Sequence, residues 1–172
     1  RPIDLTGVTV TVDGTTVSIS GKGTKLSHVL PAEVSATIAD NALRLGIEEN
    51  TRTNRMVWGL HRALLANAIK GLQGGFEQRV KLVGLGYKGQ LTGQKIVFTV
   101  GYSHKVDYEV PRGVSVEIDK TGQLITIKGQ DRFLLGNVCD AIRSIRPPEP
   151  YKGTGIMLDG EVIMRKAGKT KS

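Results

Sequence analysis

One β-hairpin is written twice in this chain. Gly7-Val8-Thr9-Val10-Thr11-Val12-Asp13 aligns with Gly113-Val114-Ser115-Val116-Glu117-Ile118-Asp119. Past the turn, Val17-Ser18-Ile19-Ser20-Gly21-Lys22 aligns with Ile125-Thr126-Ile127-Lys128-Gly129-Gln130. Alternation alone produces V-x-V in any half-buried strand, so the shared Gly and Asp at the ends carry the argument for duplication. A repeated hairpin constrains the fold strongly. Each copy has one apolar face that must be covered, and two copies are too few for a solenoid. The chain is therefore read as α+β: two similar small domains, each an antiparallel sheet with one packed helix.

The helices follow from a change of period. Val57, Leu60, Leu64, Ala68 and Leu72, with Leu65 and Ile69 beside them, keep helical spacing from Arg55 to Leu72. Thr53 or Asn54 is placed to cap that helix, and the glycines between Gly71 and Gly75 end it. The same glycines mark a boundary, giving a first domain over 1–75 and a second over 76–147. In the first domain, residues 34–47 read as short strands around a turn at Asn41. In the second, 79–91 and 95–101 read as a hairpin around Thr92-Gly93-Gln94. Pro111-Arg112-Gly113 separates strand-like 106–110 from 114–118, and 124–128 is one strand more. A second helix runs from about 131 to 145, with Leu134, Leu135, Val138, Ala141, Ile142 and Ile145 on one face. Pro147 and Pro148 stop it.

Charge points to a partner. The chain has 24 Lys and Arg against 16 Asp and Glu, a net of +8, which favours an anionic partner. Residues 143–172 alone hold seven basic and three acidic groups, half of the surplus. Residues 148–172 are accordingly read as an extended basic tail. A single cysteine, Cys139, excludes an internal disulfide framework and a cysteine metal cluster, and suits a reducing compartment. No stretch approaches the 18 apolar residues of a membrane span. A cytoplasmic protein without a membrane partner is expected.

Three motifs suggest chemistry and lose it in context. Gly84-Leu85-Gly86-Tyr87-Lys88-Gly89 has the G-x-G-x-x-G spacing of a dinucleotide loop, after a strand and with Glu109 some distance on. That site needs a helix straight after the third glycine. Here Gln90-Leu91-Thr92-Gly93 is a turn and KIVFTV a strand, so a nucleotide-dependent oxidoreductase is the weaker reading. The glycines instead suit a strand with a bulge or a close backbone approach, leaving Tyr87 or Lys88 near another chain. Ser103, His104 and Asp107 have triad types, but neighbours in one loop rarely form the required relay. They read as a polar turn, whose Ser103, His104 and Lys105 are donors suited to phosphate. His28, His61 and His104 lack metal-ligand spacing and read as ordinary surface or half-buried histidines. Neither a catalytic residue, a metal nor a cofactor is expected.

The C-terminal segment fits a polyanion better. Arg143 and Arg146 lie at the last helical turn, where they also suit the helix dipole. Pro147, Pro148 and Pro150 then hold the chain extended. Tyr151, Lys152, Gly153 and Gly155 follow, and Arg165, Lys166, Lys169 and Lys171 close the sequence. Cations on a stiffened arm, with one aromatic and close-approach glycines, suit an irregular target such as RNA. An architectural DNA-binding module is the alternative.

At this segment a resemblance becomes specific. Arg146-Pro147-Pro148-Glu149-Pro150-Tyr151-Lys152-Gly153 resembles the signature of the uL-six family of large-subunit ribosomal proteins. Pro2-Ile3, Leu82-Val83-Gly84-Leu85-Gly86-Tyr87, Gly101-Tyr102-Ser103-His104 and the duplicated hairpin extend the likeness nearly end to end. The family's fold, two similar α+β domains, agrees with the repeat. The resemblance implies a non-enzymatic structural constituent of the large subunit that binds its ribosomal RNA. It also implies neighbouring ribosomal proteins as partners, and translation factors by proximity. The place implied is beside the factor site and stalk base, near the sarcin–ricin loop. Carried-over RNA contacts are Tyr151, Lys152 and the basic tail, with Lys88 and Ser103-His104-Lys105 in second rank. Thr154 stands where the family usually has lysine, Met157 and Met164 where it often has arginine, and Leu158 where it often has tyrosine.

Overall fold

The computed structural model describes residues 2–21 and 24–168. The chain divides into two compact units. The first comprises Arg1–Gly75 with Gln130–Arg132, and the second Phe76–Gly129 with Phe133–Ser172.

The first unit holds β1 (Ile3–Asp4), β2 (Thr9–Asp13), β3 (Thr16–Gly21), β4 (Thr24–Val29), β5 (Val34–Ala39), β6 (Ala42–Ile47) and helix α1 (Arg52–Gln73). Its strands form two three-stranded antiparallel sheets, ordered β2-β3-β4 and β1-β6-β5. The β5–β6 turn is the expected one, with Asp40 and Asn41 both at positive φ. Strand β4 has a weak signal, because Thr-Lys-Leu-Ser-His-Val offers little apolar alternation. The N-cap of α1 is Thr51 rather than Thr53 or Asn54: its hydroxyl accepts from the Asn54 N–H. Leu65, Ile69 and Leu72 of α1 cover Val10, Val17, Ile19, Val34 and Leu43 in one core.

The second unit holds β7 (Phe76–Val83), β8 (Lys88–Thr92), β9 (Lys95–Thr99), β10 (Val106–Glu109), β11 (Val114–Ile118), β12 (Leu124–Gly129), helix α2 (Arg132–Ile145) and β13 (Gly155–Leu158). Its sheets are ordered β11-β12-β7-β13 and β10-β9-β8, all antiparallel. Leu135, Val138, Cys139 and Ile142 of α2 share a core with Val80, Leu82, Ile96, Phe98, Ile125, Ile127 and Ile156. Each unit thus carries two small sheets, not one. In the second unit the difference arises at 79–91, which does not run as a single strand. The chain leaves the four-stranded sheet at Val83, turns through Gly84–Tyr87 and enters the other sheet at Lys88.

The repeated hairpin is repeated in register. Val10 pairs with Ile19, and Val116 with Ile127, at the positions the sequence alignment equates. The two equivalent glycines also face equivalent neighbours. A Cβ on Gly21 would meet Leu72 of α1 and Val8; one on Gly129 would meet Leu135 of α2 and Val114. The α+β reading as two similar sheet-and-helix domains therefore holds.

The C-terminal segment is more integrated than an extended tail. Residues 155–158 form β13 on the edge of the four-stranded sheet, with Ile156 fully buried. The physical reason is the apolar Ile156-Met157-Leu158 run, which a solvated arm would waste. Residues 161–168 form neither helix nor strand.

Candidate nucleic-acid interface

Three glycine-rich motifs, far apart in sequence, meet at one place in the second unit. The Tyr87 ring fits where Gly84 and Gly101 have no side chain. A Cβ at Gly84 would lie 2.8 Å from the ring, and one at Gly101 would lie 3.0 Å from the Tyr87 hydroxyl. The Tyr102 hydroxyl donates to the Ile145 carbonyl at 2.9 Å, tying the Gly101–His104 loop to the end of α2. The Arg146 guanidinium then lies 4.9 Å from the Tyr102 ring centroid, and His104 stacks on that ring at 5.9 Å and 15°. Contacts with Tyr102, and then Tyr87, hold the Arg146 pKa above its ordinary value, so the group is a fixed cation.

The close approach predicted for GLGYKG is thus made to the chain itself. Gly89 donates its N–H to the Gly122 carbonyl at 2.8 Å, and a Cβ there would meet Ile125 at 3.1 Å. Lys88, next to it, is exposed. Ser103, His104 and Lys105 are exposed on the neighbouring loop.

The proline-rich segment is a closed loop rather than an arm pointing away from α2. Ile156 donates its N–H to the Arg146 carbonyl at 2.7 Å, so the loop begins and ends at the same point. Inside it, Gly153 N–H donates to Glu149 O at 3.1 Å and Glu149 N–H to Thr154 O at 3.0 Å. The Thr154 hydroxyl donates to the Glu149 carboxylate at 2.9 Å. Tyr151 and Lys152 sit exposed at the tip. The chain beyond β13 folds back on the loop. Lys166 N–H donates to Pro150 O at 2.8 Å, and the Arg165 guanidinium lies over Gly153. Tyr151, Lys152, Arg165 and Lys166 are therefore exposed on one surface, whereas Gly153 is buried beneath the Arg165 guanidinium. Lys169 and Lys171 lie outside the described residues.

The three acids of this segment, Glu149, Asp159 and Glu161, all have partners within the fold. Glu161 binds Arg143 through two hydrogen bonds, at 3.1 and 2.5 Å, and also accepts the Leu158 N–H at 3.1 Å. The guanidinium of Arg143 is thereby committed within the fold, which sets it apart from the other predicted cations. Asp159 pairs with Lys81. Arg143, and then the Leu158 N–H, lower the Glu161 pKa; Lys81 lowers that of Asp159. Among the described residues, Arg146, Lys152, Arg165 and Lys166 make no ion pair. The result is a cationic surface with its counter-charges absorbed elsewhere. The aromatic component, Tyr87 and Tyr102 beside Arg146, is what sequence reasoning underweighted. The signal was available: two of only four tyrosines stand directly after a glycine.

No group of three or more metal-ligating side chains occurs among the described residues, and none of their helices is long and apolar enough to cross a membrane.

Comparison with known proteins decides the family. The model for Ribosomal protein L6 matches residues 83–158, the stretch that spans all three convergent motifs. A large ribosomal subunit protein uL6 from Maridesulfovibrio salexigens is 46% identical, over 99% of this chain and 96% of its own length. The same protein from a Nostoc species is 42% identical, over 99% and 93%. The one from a Synechococcus species is 43% identical, over 95% and 90%.

This chain belongs to the uL6 family of large ribosomal subunit proteins.

The family is structural and non-enzymatic, which disposes of the dinucleotide reading of GLGYKG. The uL6 relatives are ribosomal proteins, and bacterial ribosomes are cytoplasmic, in line with the expected location. Met157 and Leu158 lie on β13, where both are half-buried.

Proposed function

We propose that this protein is a structural constituent of the large ribosomal subunit that binds its ribosomal RNA through the second unit. The observation that carries the reading is the convergence of GLGY, GYSH and RPPEPYKG around Arg146. Two kinds of RNA contact are built into that surface. Lys88, Lys105, Arg146, Lys152, Arg165 and Lys166 neutralise phosphates. Tyr151 and His104 offer exposed rings for stacking, and the exposed Ser103 hydroxyl can reach phosphate. The packed sheets beneath act as a rigid support, so the protein braces RNA rather than wrapping it. The family resemblance adds a position: beside the translation-factor site and stalk base, with neighbouring ribosomal proteins and, by proximity, translation factors as partners.

Binding of large-subunit RNA, measured against competitor DNA over a range of salt, tests the reading. Affinity should fall steeply as salt rises, because each neutralised phosphate releases a counterion. Equal preference for duplex DNA would favour an architectural nucleic-acid module instead.

A further inference from the structure

Helix α1 carries an apolar stripe that its own core does not use. Met56, Leu60 and Leu64 recur every fourth residue and are 66, 56 and 44% exposed. Isolated exposed leucines are ordinary in a folded protein; three in line on one helix face are not. The buried side of α1, with Leu65, Ile69 and Leu72, faces the first core, so the stripe is a second, separate face. At 100° per residue the stripe lies on the side of the helix turned away from Leu65, Ile69 and Leu72, with Arg52 at its edge beside Met56 and Arg55 further round the same flank. Both arginines are exposed. Between Arg52 and Gln73 the helix contains no Asp or Glu at all.

We propose that this face is a docking surface for an acidic amphipathic helix of a partner protein. Aliphatic anchors spaced i, i+4 would lie along Met56, Leu60 and Leu64, and carboxylates on one flank would meet Arg52 and Arg55. Charge selects this occupant. A second copy of the chain would bring two basic flanks together with no acid on either helix to offset them. Ribosomal RNA would use the arginines but gains nothing from three aliphatic side chains. The surface lies in the first unit and rests on its own observations, independent of the RNA reading for the second.

The test uses the full chain and a labelled helical peptide of about four turns. The peptide has leucine at i, i+4 and i+8 and glutamate along one flank; its counterpart has lysine in place of glutamate. Fluorescence anisotropy should show saturable binding of the glutamate peptide only. Leu60→Ser with Leu64→Ser should weaken it at least tenfold. Arg52→Glu with Arg55→Glu should weaken it similarly and admit the lysine peptide. All four side chains are exposed, so the variants should fold, which far-UV circular dichroism and Trp58 emission would verify. Absence of saturable binding, equal binding of the two peptides, or indifference to both double variants overturns the proposal. So does stripe-dependent binding of anionic phosphatidylglycerol vesicles or of an RNA oligonucleotide in place of the peptide. RNA affinity of the same variants, measured in parallel, separates failure here from failure of the RNA reading.

Discussion

The Nε2 of His28, on β4, lies 2.8 Å from the Nδ1 of His61, on α1. One ring must donate and the other accept, so the contact cannot survive protonation of both. Burial, and then the proximity of His61, lower the His28 pKa below the ordinary value of 6.5. The folded state therefore takes up its proton later than the unfolded state as pH falls. The contribution to stability is complete above about 6.5, declines as pH drops toward the depressed folded value, and then levels off. Thermal unfolding of the first unit, followed by Trp58 emission, should show a midpoint that falls from pH 7 to pH 5. His28→Gln should flatten that dependence. An unchanged slope would mean that the pair does not couple to folding.

Gly155 and Gly153 should respond differently to alanine. A Cβ at Gly155 would sit 2.5 Å from Pro148 Cα and 2.7 Å from the Pro147 carbonyl, both rigid backbone. The next residue, Ile156, is fully buried and closes the loop. Gly155→Ala should therefore cost about 2–4 kcal/mol, as a clash with fixed atoms does. At Gly153 the nearest atoms belong to the flexible Arg165 side chain, and the cost is mainly the positive φ of 72°. About 1–2 kcal/mol is expected there. Urea unfolding of the two variants gives the order directly.

Much of this was written in the residues. The two hairpins were legible because alternation and a shared Gly–Asp frame repeat, and the structure keeps their register. Both helices were legible from their apolar spacing. What escaped was non-local. The end of the strand at Val83 was only half legible: Gly84 and Gly86 signal a break, but the Tyr87 ring also needs Gly101, fourteen residues away. The prolines at 147, 148 and 150 suggested an arm. The loop closes because Arg146 and Ile156 share a hydrogen bond, which composition does not encode. Of the RNA-contact candidates, the residue types were visible but their grouping was not. Arg143 and Arg146 look alike in sequence; one is bound to Glu161 and the other lies on Tyr102.

The Arg143–Glu161 pair should behave as a structural clasp. Glu161 holds both the guanidinium and the Leu158 N–H, so it fixes the chain just after β13. Both side chains are partly exposed, which discounts the electrostatic gain. Glu161→Gln should still cost about 1–2 kcal/mol, because charge-assisted hydrogen bonds are lost. Glu161 has its pKa lowered from the ordinary 4.5 by Arg143 and then by Leu158. Its contribution is therefore present above about 4.5 and disappears as pH falls through the depressed folded value. Urea midpoints at pH 7 and pH 3 should differ less in the variant than in the parent.

Arg146 and Arg143 together give the sharpest test of the RNA surface. Arg146 makes no ion pair among the described residues and lies on the Tyr102 ring, facing the same loops as His104. Arg146→Gln should weaken ribosomal RNA binding and lower the slope of log affinity against log salt by about one phosphate contact. Stability should change little, because no partner charge is left behind. Arg143→Gln should do the reverse. It strands Glu161, lowers the unfolding midpoint, and leaves the salt slope of RNA binding unchanged once measured well below that midpoint. The two arginines stand three residues apart, at the end of the same helix, so net charge and general electrostatic attraction fall equally in both variants. A difference in salt slope then reports where the guanidinium is, not how many there are. Equal slopes for the two variants would remove Arg146 from the interface and move the RNA surface toward Lys152 and Arg165.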